Sequence, residues 1–185
     1  WTEEYCRQNQ FSHFFLLGHS FGGRVAIKFA VKHPDMLAGL ILLSAAGITP
    51  RPKVKLLVVS FLSRIVKTIL SPPLLRPLQS LARKMTYSVF GTRDYYFLSS
   101  EVMRQTFQKI VEEDLFGQLA EIKVPTWIIW GGNDKVTPLA DAKKMVREIP
   151  AAKLIILPGQ GHNPHLKAPE KLSEKILKII NGKDD

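Results

Sequence analysis

Three polar residues occupy positions that are typical of a nucleophile, an acid and a base. Ser20 lies between Gly18 and Gly22, directly after the apolar run at residues 14–17 and before a helical pattern. A Gly-x-Ser-x-Gly turn of this kind strains the serine backbone and presents the hydroxyl above a sheet. Because a serine hydroxyl is a weak nucleophile at neutral pH, it needs a base, and the base needs an acid that fixes its tautomer. The sequence therefore predicts nucleophilic catalysis at Ser20.

Two later segments supply the candidate acid and base. Asp134 follows the apolar run at residues 124–130 through a Gly-Gly-Asn sequence, and His162 follows the run at residues 153–158 through Gly-Gln-Gly. We predict that both side chains lie at the C-terminal ends of strands. His162 would take the proton of Ser20, and Asp134 would hold His162.

Other notable side chains have simpler explanations. Asp141 falls inside a predicted helix, and Asp35 lies in a predicted loop after a His-Pro pair. Three histidines lie outside any glycine-rich loop and are predicted to be surface or packing residues: His13, His33 and His165. Trp127 and Trp130 fall within a strand pattern, so we expect them to pack in the core. Asp134 and His162 therefore remain the predicted acid and base.

The order of Ser20, Asp134 and His162 along the chain, each after a strand, resembles that of the α/β-hydrolase family. The similarity runs from the Gly-His-Ser-Phe-Gly turn to the C-terminus and includes the Gly-Gly-Asn-Asp and Gly-Gln-Gly-His loops. It implies a cap-bearing, serine-nucleophile hydrolase with an α/β fold. A serine at this position excludes the branches that use an aspartate there, such as epoxide hydrolases and haloalkane dehalogenases.

Two neighbours of Ser20 are candidates for the same site. The backbone N–H of Phe21 lies at a helix start, where the helix dipole favours negative charge, so we predict that it stabilises the oxyanion. His19 occupies the variable position of the turn, and either substrate binding or simple packing accounts for it. The resemblance implies a second oxyanion donor in a loop after an earlier strand, which this sequence lacks.

Members of the family normally have several strands and a helix before the serine turn, and this sequence holds no counterpart of them. The strand at residues 14–17 would be central in the complete fold, so we expect one of its edges to be unpaired. We expect a partial α/β-hydrolase fold with the N-terminal strands missing. The chain would then be the C-terminal half or two thirds of a hydrolase. Either the sequence is incomplete, or the chain needs the other part in trans.

Strand and helix patterns alternate on both sides of one long interruption, which predicts a parallel sheet with flanking helices. Residues 48–117 break the alternation with apolar helical patterns cut by prolines. We predict an α/β core at residues 1–47 and 118–185 and a helical cap or lid at residues 48–117. The core helices are predicted to bury these apolar residues: Val25, Ala26, Phe29 and Ala30 before Lys32, and Leu172, Ile176, Ile179 and Ile180 after Pro169.

The composition is that of a globular protein with 185 residues, 45% of them hydrophobic, and a formal net charge of +10. Much of this charge falls in the predicted cap, where residues 54–70 form a basic amphipathic pattern. We favour a cap helix over the active site; binding to anionic substrates or to a membrane surface stays an alternative. No nucleic-acid-binding module is recognisable.

We expect a cytoplasmic protein, because Cys6 has no partner and no apolar run is long enough to span a bilayer. A signal peptide upstream stays open, since the sequence begins without Met. The leading hypothesis is a serine hydrolase that cleaves an ester or related acyl bond of a small, apolar acyl substrate and needs no metal or organic cofactor. The alternatives are a C–C bond hydrolase, a peptidase, an acyltransferase, or a non-catalytic ligand-binding protein on this scaffold.

Overall fold

The computed structural model describes residues 1–48 and 101–182. Backbone contacts divide the chain into two compact units, one formed by residues 1–49 and 114–185 and the other by residues 50–113. The boundaries given above for the cap, residues 48–117, stay a prediction. The basic pattern at residues 54–70 lies outside the described residues.

The first unit contains one sheet of four parallel strands in the order β1-β2-β3-β4. The strands are β1 (Phe14–His19), β2 (Leu37–Leu43), β3 (Thr126–Gly131) and β4 (Lys153–Leu157). Six of the seven residues of β2 are buried, as its continuous apolar sequence leads one to expect for a strand covered on both faces. The predicted parallel α/β arrangement is confirmed.

Helices precede the first strand, connect the strands and follow the last one. In the first unit they are α1 (Thr2–Gln8), α2 (Phe21–Lys32), α4 (Leu139–Glu148), α5 (Pro164–Lys167) and α6 (Pro169–Ile180), with short 3-10 helices at Pro34–Met36 and Phe116–Glu121. The second unit contributes one described helix, α3 (Glu101–Glu112). No helix in the described parts of the chain is long and apolar enough to cross a lipid bilayer.

The two faces of the sheet carry separate apolar clusters, because alternate residues of a strand point to opposite faces. On one face, Leu40 and Leu42 of β2 pack in the cluster that contains residues of α2 and α4. On the other face, Ile41 and Leu43 pack with Leu172 of α6. The helices therefore cover both faces of the sheet and leave its C-terminal edge to the loops.

The predicted buried faces of two helices need correction at one residue each. Val25 is 39% exposed and Ile180 is 47% exposed, whereas the other predicted residues of their stripes are buried or partly buried. Each helical residue is rotated by about 100° from its neighbour. Val25 lies about 140° around the helix from the buried Ala30, and Ile180 lies about 100° from the buried Ile179, so both are at the solvent side of the apolar stripe.

The strand that leads to Ser20 is at one edge of the sheet. Among the described residues, β1 pairs with β2 alone. Its side chains are less buried than those of β2, and Leu17 is 41% exposed. Within the described residues the sheet is thus a partial version of the predicted α/β-hydrolase fold.

Candidate active site

The turn at Ser20 has the strained backbone that its sequence predicts. Ser20 has φ 50° and ψ −117°, and α2 begins at the next residue. A Cβ at Gly18 would lie 2.7 Å from both the Ala26 Cβ and the Gly22 carbonyl oxygen, and a Cβ at Gly23 would overlap Ala45. Glycine at these two positions therefore allows α2 to lie close to the strands.

Gly22, the second glycine of the turn, is not required by close packing. A Cβ at Gly22 would meet no described atom within 4 Å. The close packing of α2 instead depends on Gly18 and Gly23, because a Cβ at Gly18 would overlap Gly22 and Ala26 and a Cβ at Gly23 would overlap Ala45.

The segment that ends β2 holds the main chain of Ser20. The Ser20 N–H donates to the Leu43 carbonyl at 3.2 Å, and the Ala46 N–H donates to the Ser20 carbonyl at 2.8 Å. The Gly23 N–H donates to the same Ser20 carbonyl at 2.9 Å. Three hydrogen bonds thus keep the turn in its strained conformation.

The three predicted residues come together at the C-terminal edge of the sheet. The Ser20 Oγ lies 2.9 Å from His162 Nε2, and His162 Nδ1 lies 2.9 Å from Asp134 Oδ2. Because an ionised carboxylate only accepts hydrogen bonds, this network assigns the proton of the neutral ring to Nδ1. His162 Nε2 is then free to accept the proton of the Ser20 hydroxyl.

The acid is buried and fully hydrogen-bonded. Its Oδ1 accepts the backbone N–H groups of Val136 at 2.8 Å and of Thr137 at 3.0 Å, and the Thr137 hydroxyl donates to its Oδ2 at 2.9 Å. Burial raises the pKa of Asp134, but the hydrogen bonds from His162, Thr137 and Val136 lower it by more, so the pKa lies below its ordinary value. Asp134 is therefore ionised at neutral pH.

The loops that carry the acid and the base are joined through their backbones. The Asn133 N–H donates to the Gln160 carbonyl at 2.8 Å, and the Gly132 N–H donates to the Leu157 carbonyl at 3.0 Å. A Cβ at Gly131 would overlap the Gly161 carbonyl oxygen. Only glycine at the end of β3 lets the two loops approach this closely.

His19 contacts the loop that carries the base. Its Nε2 lies 2.9 Å from the carbonyl oxygen of His162, to which it must donate, and its ring meets that of His165 edge to face at 4.5 Å. Burial lowers the pKa of His19 more than this hydrogen bond raises it, so the ring is neutral at pH 7. Its role in binding substrate stays a prediction.

Phe21 is the first residue of α2, and no described residue accepts a hydrogen bond from its backbone N–H. The first N–H groups of a helix have no partner within the helix. This donor is therefore available next to Ser20, as the predicted oxyanion role requires.

The other residues weighed in the sequence do not join the row from Ser20 through His162 to Asp134. Asp141 is paired with Lys144 at 3.7 Å, and His33 contacts Glu3 at 3.2 Å. Trp130 is fully buried and donates its indole N–H to the Thr137 carbonyl at 2.9 Å. The described residues hold no group of His, Cys, Asp and Glu side chains arranged to bind a metal ion.

Thr137 is the residue of this site that the sequence patterns did not identify. The signal was its position three residues after Asp134, since a hydroxyl at that spacing can reach back to a carboxylate in a turn. Its hydroxyl contacts both Asp134 and His162.

The chain matches a known protein family. Residues 2–167 match the model of the hydrolase family described as serine aminopeptidase, S33. The chain is 28% identical over 183 residues to the monoacylglycerol lipase ABHD6 of Mus musculus, covering 90% of this chain and 54% of the lipase. It is 29% identical over 178 residues to the pimeloyl-(acyl-carrier protein) methyl ester esterase of Nitrosomonas europaea, covering 83% of this chain and 66% of the esterase.

Among solved structures, the esterase EaEST of Exiguobacterium antarcticum superposes with a TM-score of 0.69 at 25% sequence identity, covering 97% of this chain and 71% of the esterase. The chain spans about half to two thirds of the length of the two curated relatives.

Proposed function

Because the chain belongs to the S33 serine aminopeptidase family of α/β hydrolases, we propose that it is a serine hydrolase that cleaves an ester or related acyl bond of a small substrate. The observation that carries the proposal is the hydrogen-bonded row from the Ser20 hydroxyl through His162 to Asp134. A fold alone would not support it, since one fold hosts many functions.

In the proposed reaction, the Ser20 Oγ attacks the acyl carbon while His162 Nε2 takes its proton, and the carbonyl π electrons move to the oxygen. The Phe21 N–H stabilises this oxyanion. Collapse of the tetrahedral intermediate breaks the bond to the leaving group, which takes the proton from His162 and leaves the acyl group on Ser20. Water, deprotonated by His162, then attacks the acyl-enzyme. The acyl–Oγ bond breaks, His162 returns the proton to the Ser20 Oγ, and the acid is released.

Asp134 has an electrostatic role in this scheme. Its hydrogen bonds hold its pKa below the ordinary value, so it stays ionised while His162 becomes an imidazolium. A buried negative charge 2.9 Å from His162 Nδ1 stabilises that cation and keeps Nε2 pointed at Ser20. The acid thus favours proton transfer without taking the proton itself.

The names of the relatives support an oxygen ester as substrate, because one is a monoacylglycerol lipase and the other a methyl ester esterase. Peptide-bond cleavage is the second candidate, favoured by the aminopeptidase description of the family model. The two differ in the leaving group, an alcohol or an amine, and both use the same acyl-enzyme.

The proposal is tested with a fluorophosphonate, which phosphonylates activated serines, followed by intact mass and peptide mapping. The protein should gain one adduct on Ser20, and Ser20→Ala and His162→Ala should gain none. Ser44→Ala is the matched control, because Ser44 ends the neighbouring strand β2 and has no contact with the base. Labelling is measured on this chain and on the complete gene product that contains it.

Folded protein that stays unlabelled in both forms would overturn the proposal and favour a ligand-binding protein. If labelling occurs, p-nitrophenyl esters of short and medium acyl chains are compared with aminoacyl p-nitroanilides. Faster turnover of the esters, abolished by Ser20→Ala, is the expected result. Faster turnover of the anilides would favour the peptidase.

A further inference from the structure

Thr137 lies where three parts of the candidate site meet. Its hydroxyl oxygen is 2.9 Å from Asp134 Oδ2, 3.2 Å from His162 Nδ1 and 3.2 Å from the backbone carbonyl of Ser44. Its backbone N–H also donates to Asp134 Oδ1 at 3.0 Å. One residue thus contacts the acid, the base and the end of the central strand β2.

The position of Thr137 is itself fixed. The indole N–H of Trp130, which is fully buried in β3, donates to the Thr137 carbonyl at 2.9 Å. Thr137 is followed by Pro138, the residue that caps α4. The hydroxyl is therefore held by the core of the sheet and the start of a helix.

A threonine hydroxyl has one proton and two acceptor lone pairs. The proton goes to Asp134 Oδ2 rather than to the Ser44 carbonyl, because the carboxylate is closer and charged. A lone pair of the same oxygen is then left for His162 Nδ1, which carries a proton. The Nδ1–H group thus lies against two acceptors, Asp134 Oδ2 and Thr137 Oγ1.

We propose that Thr137 is a positioning residue, whose hydroxyl fixes His162 in the tautomer with Nε2 unprotonated and limits the negative charge that Asp134 presents to the ring. This inference rests on the proposed function, because a positioned base matters only if Ser20 is the nucleophile. Thr137 acts through Asp134 and His162.

Removing the hydroxyl has two predictable consequences. The His162 ring loses one of two restraints on Nδ1, so the productive geometry is populated less. Asp134 loses a donor and becomes a stronger partner for an imidazolium, so His162 holds its proton to higher pH. The other titratable groups near His162, the His19 and His165 rings, contact neither the Thr137 hydroxyl nor Asp134 by hydrogen bonds among the described residues.

The experiment compares Thr137→Val, which has nearly the same shape without the hydroxyl, with Thr137→Ser, which keeps it. For valine we expect kcat to fall about tenfold, as for one hydrogen bond to a charged group, with KM unchanged. The acid limb of the kcat/KM profile should move to higher pH. Serine should restore both values close to those of the unmodified protein.

A merely structural role would lower the melting temperature of the valine variant and leave the acid limb in place. That result would overturn the proposal, and so would a serine variant that behaves like valine. If the valine protein does not fold, Thr137→Ala takes its place in the same comparison with serine.

A second readout separates this inference from the proposed function. The ring titration of His162, followed by NMR in the resting protein without substrate, should shift to higher pH in Thr137→Val and not in Thr137→Ser. This shift with no turnover in any variant supports Thr137 while the hydrolase proposal fails. Turnover lost in Ser20→Ala but an unchanged titration in Thr137→Val overturns Thr137 alone.

Discussion

Two serines directly follow neighbouring parallel strands, with similar positive φ angles and different surroundings. Ser20 follows β1 with φ 50°, and Ser44 follows β2 with φ 43°. The Ser20 hydroxyl contacts His162 at 2.9 Å, whereas the Ser44 hydroxyl is fully buried and has no hydrogen-bond partner among the described residues. At Ser44 it is the backbone that makes contacts, with Ile129 and Thr137.

The difference teaches that a strained turn does not by itself make a nucleophile. A positive φ at a non-glycine residue has a conformational cost at both positions. At Ser20 the strain presents a side chain to a base, and at Ser44 it turns a carbonyl toward the hydroxyl of Thr137. The partner on the neighbouring loops therefore decides what each serine can do.

The largest expected effect comes from removing the charge that makes the base of Ser20 effective. Asp134→Asn should lower kcat by about 10³ to 10⁴-fold, because a neutral amide does not stabilise the imidazolium of His162 and favours the wrong tautomer. Ser20 would then resemble Ser44, strained but without a working base. Ester turnover measures the loss, and Asp141→Asn, a carboxyl at the neighbouring helix, is the control that should keep full activity.

These two carboxyls also have opposite effects on stability as the pH changes. The pKa of Asp134 is lowered from 3.8, so its stabilisation is present above that value and is lost as the pH falls through the lower folded pKa. Burial raises the pKa of Asp141 more than Lys144 lowers it, so its contribution is lost as the pH rises. The free energy of unfolding, measured in urea, should therefore fall less between pH 7 and pH 3 in Asp134→Asn than in the unmodified protein. An equal fall in the two proteins would contradict this.

A smaller effect is expected from the residue before Ser20. His19→Phe removes the donor to the His162 carbonyl, and we expect about a fivefold fall in kcat, the value of one ordinary hydrogen bond. His19→Gln keeps an N–H donor at a similar reach and should lose less. If His19 instead binds substrate, KM would rise in both variants while the rate of fluorophosphonate labelling stays unchanged.

The smallest effect is expected at Ser44. Ser44→Ala removes a buried hydroxyl that has no partner among the described residues, so the free energy of unfolding should rise by about 1 kcal/mol. Labelling of Ser20 should not change, because the Ser44 backbone carbonyl is retained. Chemical denaturation gives the first value; a loss of stability instead would mean that the hydroxyl has a partner, such as a buried water.

The sequence predicted those parts of the molecule that depend on local patterns. The apolar runs at residues 14–17, 124–130 and 153–158 correspond to β1, β3 and β4, and glycines and strand ends located Ser20, Asp134 and His162. The exposure of Val25 and Ile180 was missed because spacing alone does not give the width of an apolar stripe.

The remaining features depend on contacts between distant segments. The Thr137 hydroxyl contacts the His162 ring, and the His19 ring contacts the backbone of the His162 loop. Both contacts join residues that only the folded sheet brings together. Ser44 carries no local signal either, since nothing in its sequence neighbourhood indicates a positive φ or a buried hydroxyl. Single-sequence patterns describe neighbours along the chain, whereas these features arise between strands.

The parallel order of the four strands also bears on how the chain folds. The hydrogen bond between Ser20 and His162 joins residues 142 positions apart, and β2 and β3 must pair in between before it can form. Sheets built from such distant pairings fold slowly, because loop-closure entropy must be overcome before native contacts compensate for it. We therefore expect the geometry of the candidate site to form late in folding, so that labelling of Ser20 after refolding would report a sheet paired from β1 to β4.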